Sequence, residues 1–175
     1  FDDSQARIVD ADGHTLQSGD LKLGMTVQID AGAIDQASLT AVAKTITVGS
    51  DLTGPVDAND LGTSTLTVLG QPVRVTASTV FDDGLAGGQA AVAVGSVVEV
   101  FAIYDPVSGV YAARRIEPET APASYRIRGQ VGSLDTTAKT FRIGSQVFAY
   151  NTAPVAGHIT RFQLATTPNG RGQWV

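Results

Sequence analysis

The sequence predicts an all-β protein. Its apolar residues are mostly Val, Ala and Ile and its polar ones mostly Thr, Ser, Asp and Gly, while the helix-forming set of Glu, Lys, Met and Leu is thin. Apolar and polar residues alternate over short runs: Leu66 and Val68 fall on one face, as do Val73 and Val75, with polar residues between them. That two-residue period belongs to half-buried strands. Nineteen Gly and seven Pro supply the turns between such runs.

An apolar fraction of 43% and a mean hydropathy of +0.09 suffice to fill a core, so global disorder is excluded. No cysteine is present, which rules out disulfides, thiolate metal sites and a cysteine nucleophile. No apolar run reaches the length of a membrane-spanning helix. The chain opens at Phe1 with no basic, apolar leader, and it is expected to be an interior segment of a protein whose signal or lipid anchor lies upstream. Three Lys beside many Thr, Ser and Gly fit a secreted Gram-negative protein, so the expected location is periplasmic, cell-surface or extracellular.

Internal similarity organises the chain. LKLGMTVQID (Leu21 to Asp30) parallels VAVGSVVEVF (Val92 to Phe101), with Gly24 and Gly95 in equivalent places. Phe1-Asp2-Asp3 matches Phe81-Asp82-Asp83, and Gly54-Pro55-Val56-Asp57 matches Gly129-Gln130-Val131-Gly132. LTVLGQPVRV (Leu66 to Val75) parallels FRIGSQVFAY (Phe141 to Tyr150). SGVYAARRI (Ser108 to Ile116) resembles the closing GRGQWV and SLTAVAKTI (Ser38 to Ile46). Three units follow: 1–50 without its opening strands, 51–120 complete, and 121–175 ending inside its last strand. Glu117 to Ser124 is a Pro-containing connector between the second and third.

The complete unit reads as five strands. Val56 to Ala58 opens it, and Thr65 to Val68 with Pro72 to Val75 forms a hairpin across Leu69-Gly70-Gln71. A Gly- and Ala-rich link from Asp82 to Ala91 leads to Val97 to Tyr104 and Val110 to Glu117, joined through Asp105-Pro106-Val107-Ser108-Gly109. Three strands, a long link and two strands fit a small OB-like barrel, so the expected architecture is a tandem array of five-stranded OB-like barrels with incomplete first and last units. A flat three-unit sandwich is the alternative.

The second unit, GPVDA…TLTVLGQPVRVTASTVFDD…VAVGSVVEVFAIYDPVSGVYAARRIE, resembles the bacterial extracytoplasmic repeats of domain-of-unknown-function family 5666, and degenerate versions flank it on both sides. The third unit departs at its turn, where Asn151-Thr152-Ala153-Pro154 replaces Ser78-Thr79-Val80-Phe81. The resemblance implies secreted or lipid-anchored proteins with OB-like barrels, and it carries no catalytic residue.

Few residues suggest chemistry. His14 follows the turn dipeptide Asp12-Gly13 and His158 follows Gly157, in different units and without metal-ligand spacing. Asp10-Ala11-Asp12-Gly13 places its Gly too early for a calcium loop and reads as a turn. Asp2-Asp3 and Asp82-Asp83 recur at one point of two units, which a folding requirement predicts and a single active site does not. No nucleophile-elbow, zincin or P-loop pattern occurs, so no enzyme activity, cofactor or metal is expected.

Charge is distributed unevenly. Residues 1–50 carry seven acids and three bases, 51–120 nine and three, and 121–175 one acid, Asp135, against Arg126, Arg128, Lys139, Arg142, Arg161 and Arg171. The basic unit also holds Tyr125, Phe141, Phe148, Tyr150, Phe162 and Trp174. Three outcomes fit this pattern. Charge drifts while aromatics fill barrels; the basic unit docks on acidic units within or between chains; or the third unit's face binds an anionic polymer through Arg and stacking aromatics. For the last, Arg126 and Arg128, two apart on one strand, are the expected contacts, with Arg142, Arg161, Tyr150 and Trp174 around them. A glycan or cell-wall polymer suits that site. Nucleic acid is not expected, because the whole chain is acidic (pI ≈ 4.8). The function expected is that of a non-enzymatic structural or interaction protein forming a surface or extracellular assembly, with glycan or anionic-polymer binding as the alternative.

Overall fold

A computed structural model describes residues 6–120, 122, 124–144 and 146–150. The chain divides into two compact units, Phe1–Ser50 and Asp51–Val175. Every regular element among the described residues is a strand or a short 3-10 turn.

The first unit is an open three-stranded sheet. β1 (Arg7–Asp10) lies parallel to β3 (Ala43–Val48), which is antiparallel to β2 (Val27–Ala31). Ile8, Val9, Ala43, Ile46 and Val48 are buried, whereas every residue of β2 is exposed. The turn after β1 is closed by Asp10, whose Oδ1 accepts the amides of Asp12 and His14 at 2.9 and 2.8 Å. His14 Nδ1 lies 2.8 Å from Asp10 Oδ2, and this hydrogen bond raises the exposed imidazole's pKa. Phe1-Asp2-Asp3 lies outside the described residues.

The second unit contains a closed barrel. Its strands are β4 (Leu52–Asp60), β5 (Thr65–Val68), β6 (Gln71–Arg74), β8 (Val97–Asp105) and β9 (Val110–Glu119), with β7 (Val80–Phe81) an addition beside β9. Hydrogen bonding runs β4–β5–β6–β9–β8 and returns to β4. The seam between β6 and β9 is parallel and two residue pairs long, Val73 with Tyr111 and Arg74 with Ala112. Leu52, Val56, Leu66, Val68, Val73, Val98, Val100, Tyr111 and Ile116 fill the interior. The link from Asp82 to Ala91 forms two 3-10 turns that bring Leu85 and Val92 into that core. Asn59 Nδ2 holds the link by donating to the carbonyls of Gln89 and Val92, at 2.9 and 2.8 Å.

The opening strand is nine residues long rather than the three expected, because Leu52 to Pro55 pairs with β8 before Val56 to Asp60 turns to β5. The β5–β6 loop is the two residues Leu69 and Gly70. Both have positive φ, 51° and 70°, the arrangement that matches the twist of a tight hairpin. The Leu69 side chain occupies the space that a Cβ on Gly54 would fill, 2.4 Å from Leu69 Cγ. Gly129 repeats the device, since a Cβ there would sit 2.3 Å from Ile143 Cγ2.

After the barrel, β10 (Arg126–Ile127) pairs with β4 on the edge opposite β8. A three-stranded meander of β11 (Val131–Asp135), β12 (Thr140–Ile143) and β13 (Gln146–Ala149) follows. Where a tandem array of OB-like barrels with incomplete first and last units was expected, the described residues form one closed barrel and two open three-stranded sheets.

One hairpin design recurs four times. Asp35 pairs with Thr40, Asp60 with Thr65, Asp105 with Val110 and Asp135 with Thr140, each across four loop residues. The fourth loop residue has positive φ in every case: Leu39, Ser64, Gly109 and Lys139. The leading carboxylate accepts loop amides, from Ala37, Gly62, Val107 and Thr137, at 2.8–2.9 Å. These bonds favour the ionised form and lower all four carboxyl pKa values. The foremost contributors are the hydroxyls of Ser38, Thr63 and Ser108 and, at Asp135, the Ala138 amide.

Candidate functional site

Four buried side chains with polar groups in the barrel unit, Asp51, Arg115, Gln71 and Tyr111, have structural work to do. Asp51, only 7% exposed, projects its carboxylate into the irregularity between Phe101 and Ala102 on β8. Arg115 is 6% exposed and is held between Asp82, at 3.0 Å, and Glu117. That partnership, with the capping of the first link turn by Asp82 (Gly84 N donates at 3.0 Å), accounts for the acid at this point. Gln71 is fully buried where the meander meets the barrel, and its Nε2 donates to the Ile143 carbonyl at 3.3 Å. Tyr111, also fully buried, donates its hydroxyl to the Arg128 carbonyl at 2.8 Å, and burial pushes its pKa upward.

Among the described residues the expected binding residues are distributed over two sheets, with Arg126 on β10 and Arg142 on β12. Arg126 stands opposite Thr53 on β10. Arg128 donates its amide to the Asp51 carbonyl at 2.7 Å, and its Nη1 lies 3.7 Å from Asp51 Oδ1. Arg142 is exposed on β12 opposite Val147. Tyr150 belongs to the other face of that sheet, since Phe141 pairs with Phe148 and the faces alternate. The three aromatics pack together, Phe148 and Tyr150 lying 5.3 and 6.2 Å from Phe141 by ring centroids. Arg161 and Trp174 lie outside the described residues.

A groove of about 630 Å³ runs along the outside of β4 and β5 towards the meander. Asp57, Thr67, Leu69 and Gly70 line the barrel side, and Tyr125, Ile127, Gln146 and Phe148 the other. Asp57 Oδ2 accepts the Gly70 amide at 2.6 Å, which fixes the hairpin at the groove's lip. Among the described residues no arginine lines it, and its walls combine two aromatic rings with one amide, two hydroxyls (Thr67 and Tyr125) and one carboxylate. Alternation shows which residues a strand points outward, but the groove depends on β10 crossing beside the hairpin, which two residues of pattern do not announce.

The fold and the site define a small all-β barrel domain with an open three-stranded sheet on either side in sequence. Residues 53–117 match the model of the family described as Domain of unknown function (DUF5666), and this part of the chain is a DUF5666 domain. The match runs from Thr53 in β4 to Glu117 in β9 and so takes in the barrel. No curated protein and no solved structure matches the chain.

Proposed function

We propose that this chain is a non-enzymatic interaction protein of the bacterial cell envelope or surface, built from OB-type units in tandem and acting by assembly. The OB reading draws on the barrel's connectivity, strands 1–2–3–5–4 closing on strand 1 with strands 3 and 5 parallel. The observation that carries the assembly reading is the division of charge along the chain: residues 1–50 hold seven acids and three bases, and residues 121–175 one acid and six bases. Light scattering from about 50 mM to about 1 M salt tests the reading, since charge-assisted association weakens with screening. A monomer at every concentration and salt would remove its basis.

A second reading, binding of an anionic glycan or cell-wall polymer, draws on the exposed Arg142 and on Arg126, both in the basic segment 121–175. Retention on heparin against an Arg126→Ala/Arg128→Ala variant tests it; equal retention would rule those arginines out.

A further inference from the structure

Strands that follow the barrel's own repeat are built into it. β10 runs beside the start of β4, with Ile127 opposite Leu52, and Ile127 packs against the barrel core. Arg128 comes next, its amide donating to the Asp51 carbonyl at 2.7 Å. The meander then returns to the β5–β6 hairpin, where Gly70 lies close to Gln146.

Two polar side chains of the barrel find their partners in this segment, and they do so in the same way. Tyr111, buried on β9, donates its hydroxyl to the Arg128 carbonyl, and Gln71, buried at the start of β6, donates Nε2 to the Ile143 carbonyl. Each accepting carbonyl belongs to the residue just before a glycine, Gly129 or Gly144. A Cβ on Gly129 would come 2.8 Å from the Tyr111 hydroxyl, and one on Gly144 2.5 Å from Gln71 Oε1. A bare stretch of backbone thus approaches each side chain and presents a carbonyl to it. Both side chains lie within residues 53–117, the span of the family match, and both acceptors lie beyond it.

We propose that Gln71 and Tyr111 form a socket on this DUF5666 barrel for the β10–β13 segment, the opening strands of the repeat that follows, and that the socket holds this segment without help from the connecting peptide. What it recognises is a pair of backbone carbonyls, each beside a glycine, on a three-stranded meander. Ile143, 3% exposed, adds an apolar contact against Gly129 within the bound segment. Barrel and meander fold as one body through the socket, so the family-matched residues are a part of the folding unit. This rests on the tandem-unit reading above and is independent of association between copies.

The full chain with a protease site inserted in the connector after Thr120 tests this; Thr120 and Ser124 are exposed. Once cut, the parent should still elute as one species. Dilution, with a dye on the second piece, then reads the dissociation constant of the two pieces. Gln71→Met and Tyr111→Phe keep the side-chain volume and remove the donor, so each should raise that constant on the order of tenfold. Gly144→Ala alters no barrel residue and should weaken the contact likewise, whatever the barrel variants do to folding. Amide exchange at Val100 and Ile116 reports the barrel's own integrity in each. Arg142→Ala, on the exposed face of β12, should leave the constant unchanged. Pieces that separate in the cut parent overturn the socket and leave the salt test of assembly to stand by itself. One constant shared by the parent, Gln71→Met, Tyr111→Phe and Gly144→Ala overturns the roles given to those two side chains.

Discussion

Asp51 and Ala102 meet at the irregularity of the β8–β9 ladder, where Asp51 Oδ2 accepts the Ala102 amide at 2.8 Å. A bulge leaves a backbone donor without its ladder partner, and here a side chain from the start of β4 satisfies it inside the protein. Asp51→Ala strands that buried amide and removes the carboxylate near Arg128. A loss of about 1–3 kcal/mol is expected. Chemical denaturation measures it, and Asp51→Asn, which keeps an acceptor, should lose less.

Gly54→Ala places a methyl against Leu69, and Gly129→Ala places one against Ile143 and the Tyr111 hydroxyl, 2.8 Å away. Overpacking of this kind costs about 1–3 kcal/mol. Combining Gly54→Ala with Leu69→Ala should recover part of the loss, because the second change vacates the space. A double variant no better than the sum of the two singles would contradict the contact.

Arg115 is the buried cation of a triad whose acids reach solvent in part; the Asp82 side chain is 37% exposed and that of Glu117 19%. Arg115→Ala leaves both carboxylates facing a vacated interior. The expected destabilisation is about 2–4 kcal/mol, reduced from that of a fully buried pair by the solvent that Asp82 retains. Thermal unfolding of Arg115→Ala beside Arg115→Met separates charge from volume. Equal melting temperatures for Arg115→Ala and the parent would refute a structural role.

The four hairpin aspartates set a pH dependence. Their folded pKa values lie below the ordinary value of about 3.9. The stability they contribute is therefore complete above about pH 4 and is lost as pH falls through their lower folded values. Urea midpoints from about pH 6 to about pH 2 should fall for the parent. The drop should be shallower in a variant with Asn at 35, 60, 105 and 135, and an unchanged slope would point to other carboxylates.

Much of the barrel is legible from residues alone. Leu66, Val68, Val73 and Val75 alternate, and all four are buried as their period requires. Gly54 and Gly129 align in sequence, and both prove to be places of close approach. The repeated hairpin is harder to see. Only Gly109 marks its left-handed position in the usual way, while Leu39, Ser64 and Lys139 carry the same φ sign without the residue type that announces it. The candidate groove is less legible still. Tyr125 and Phe148 stand out as aromatics of the basic unit, but their meeting with Asp57 and Leu69 depends on a strand of two residues. Arg128 reads as a free contact residue in sequence, yet it faces Asp51, whose burial no local pattern signals.

The parallel seam between β6 and β9 closes the ring through two residue pairs, whereas β8 and β9 share a ladder along nearly their whole length. When the domain is stretched or warmed, the ring parts first at this weakest join. What then exists is a curled sheet with one new open border, and Val73 and Tyr111 are the first interior residues that water reaches. Amide exchange at Arg74, whose backbone faces β9, will accordingly outpace exchange at Val100 and Ile116, and any ligand that bridges the join will slow unfolding more than one bound elsewhere on the wall.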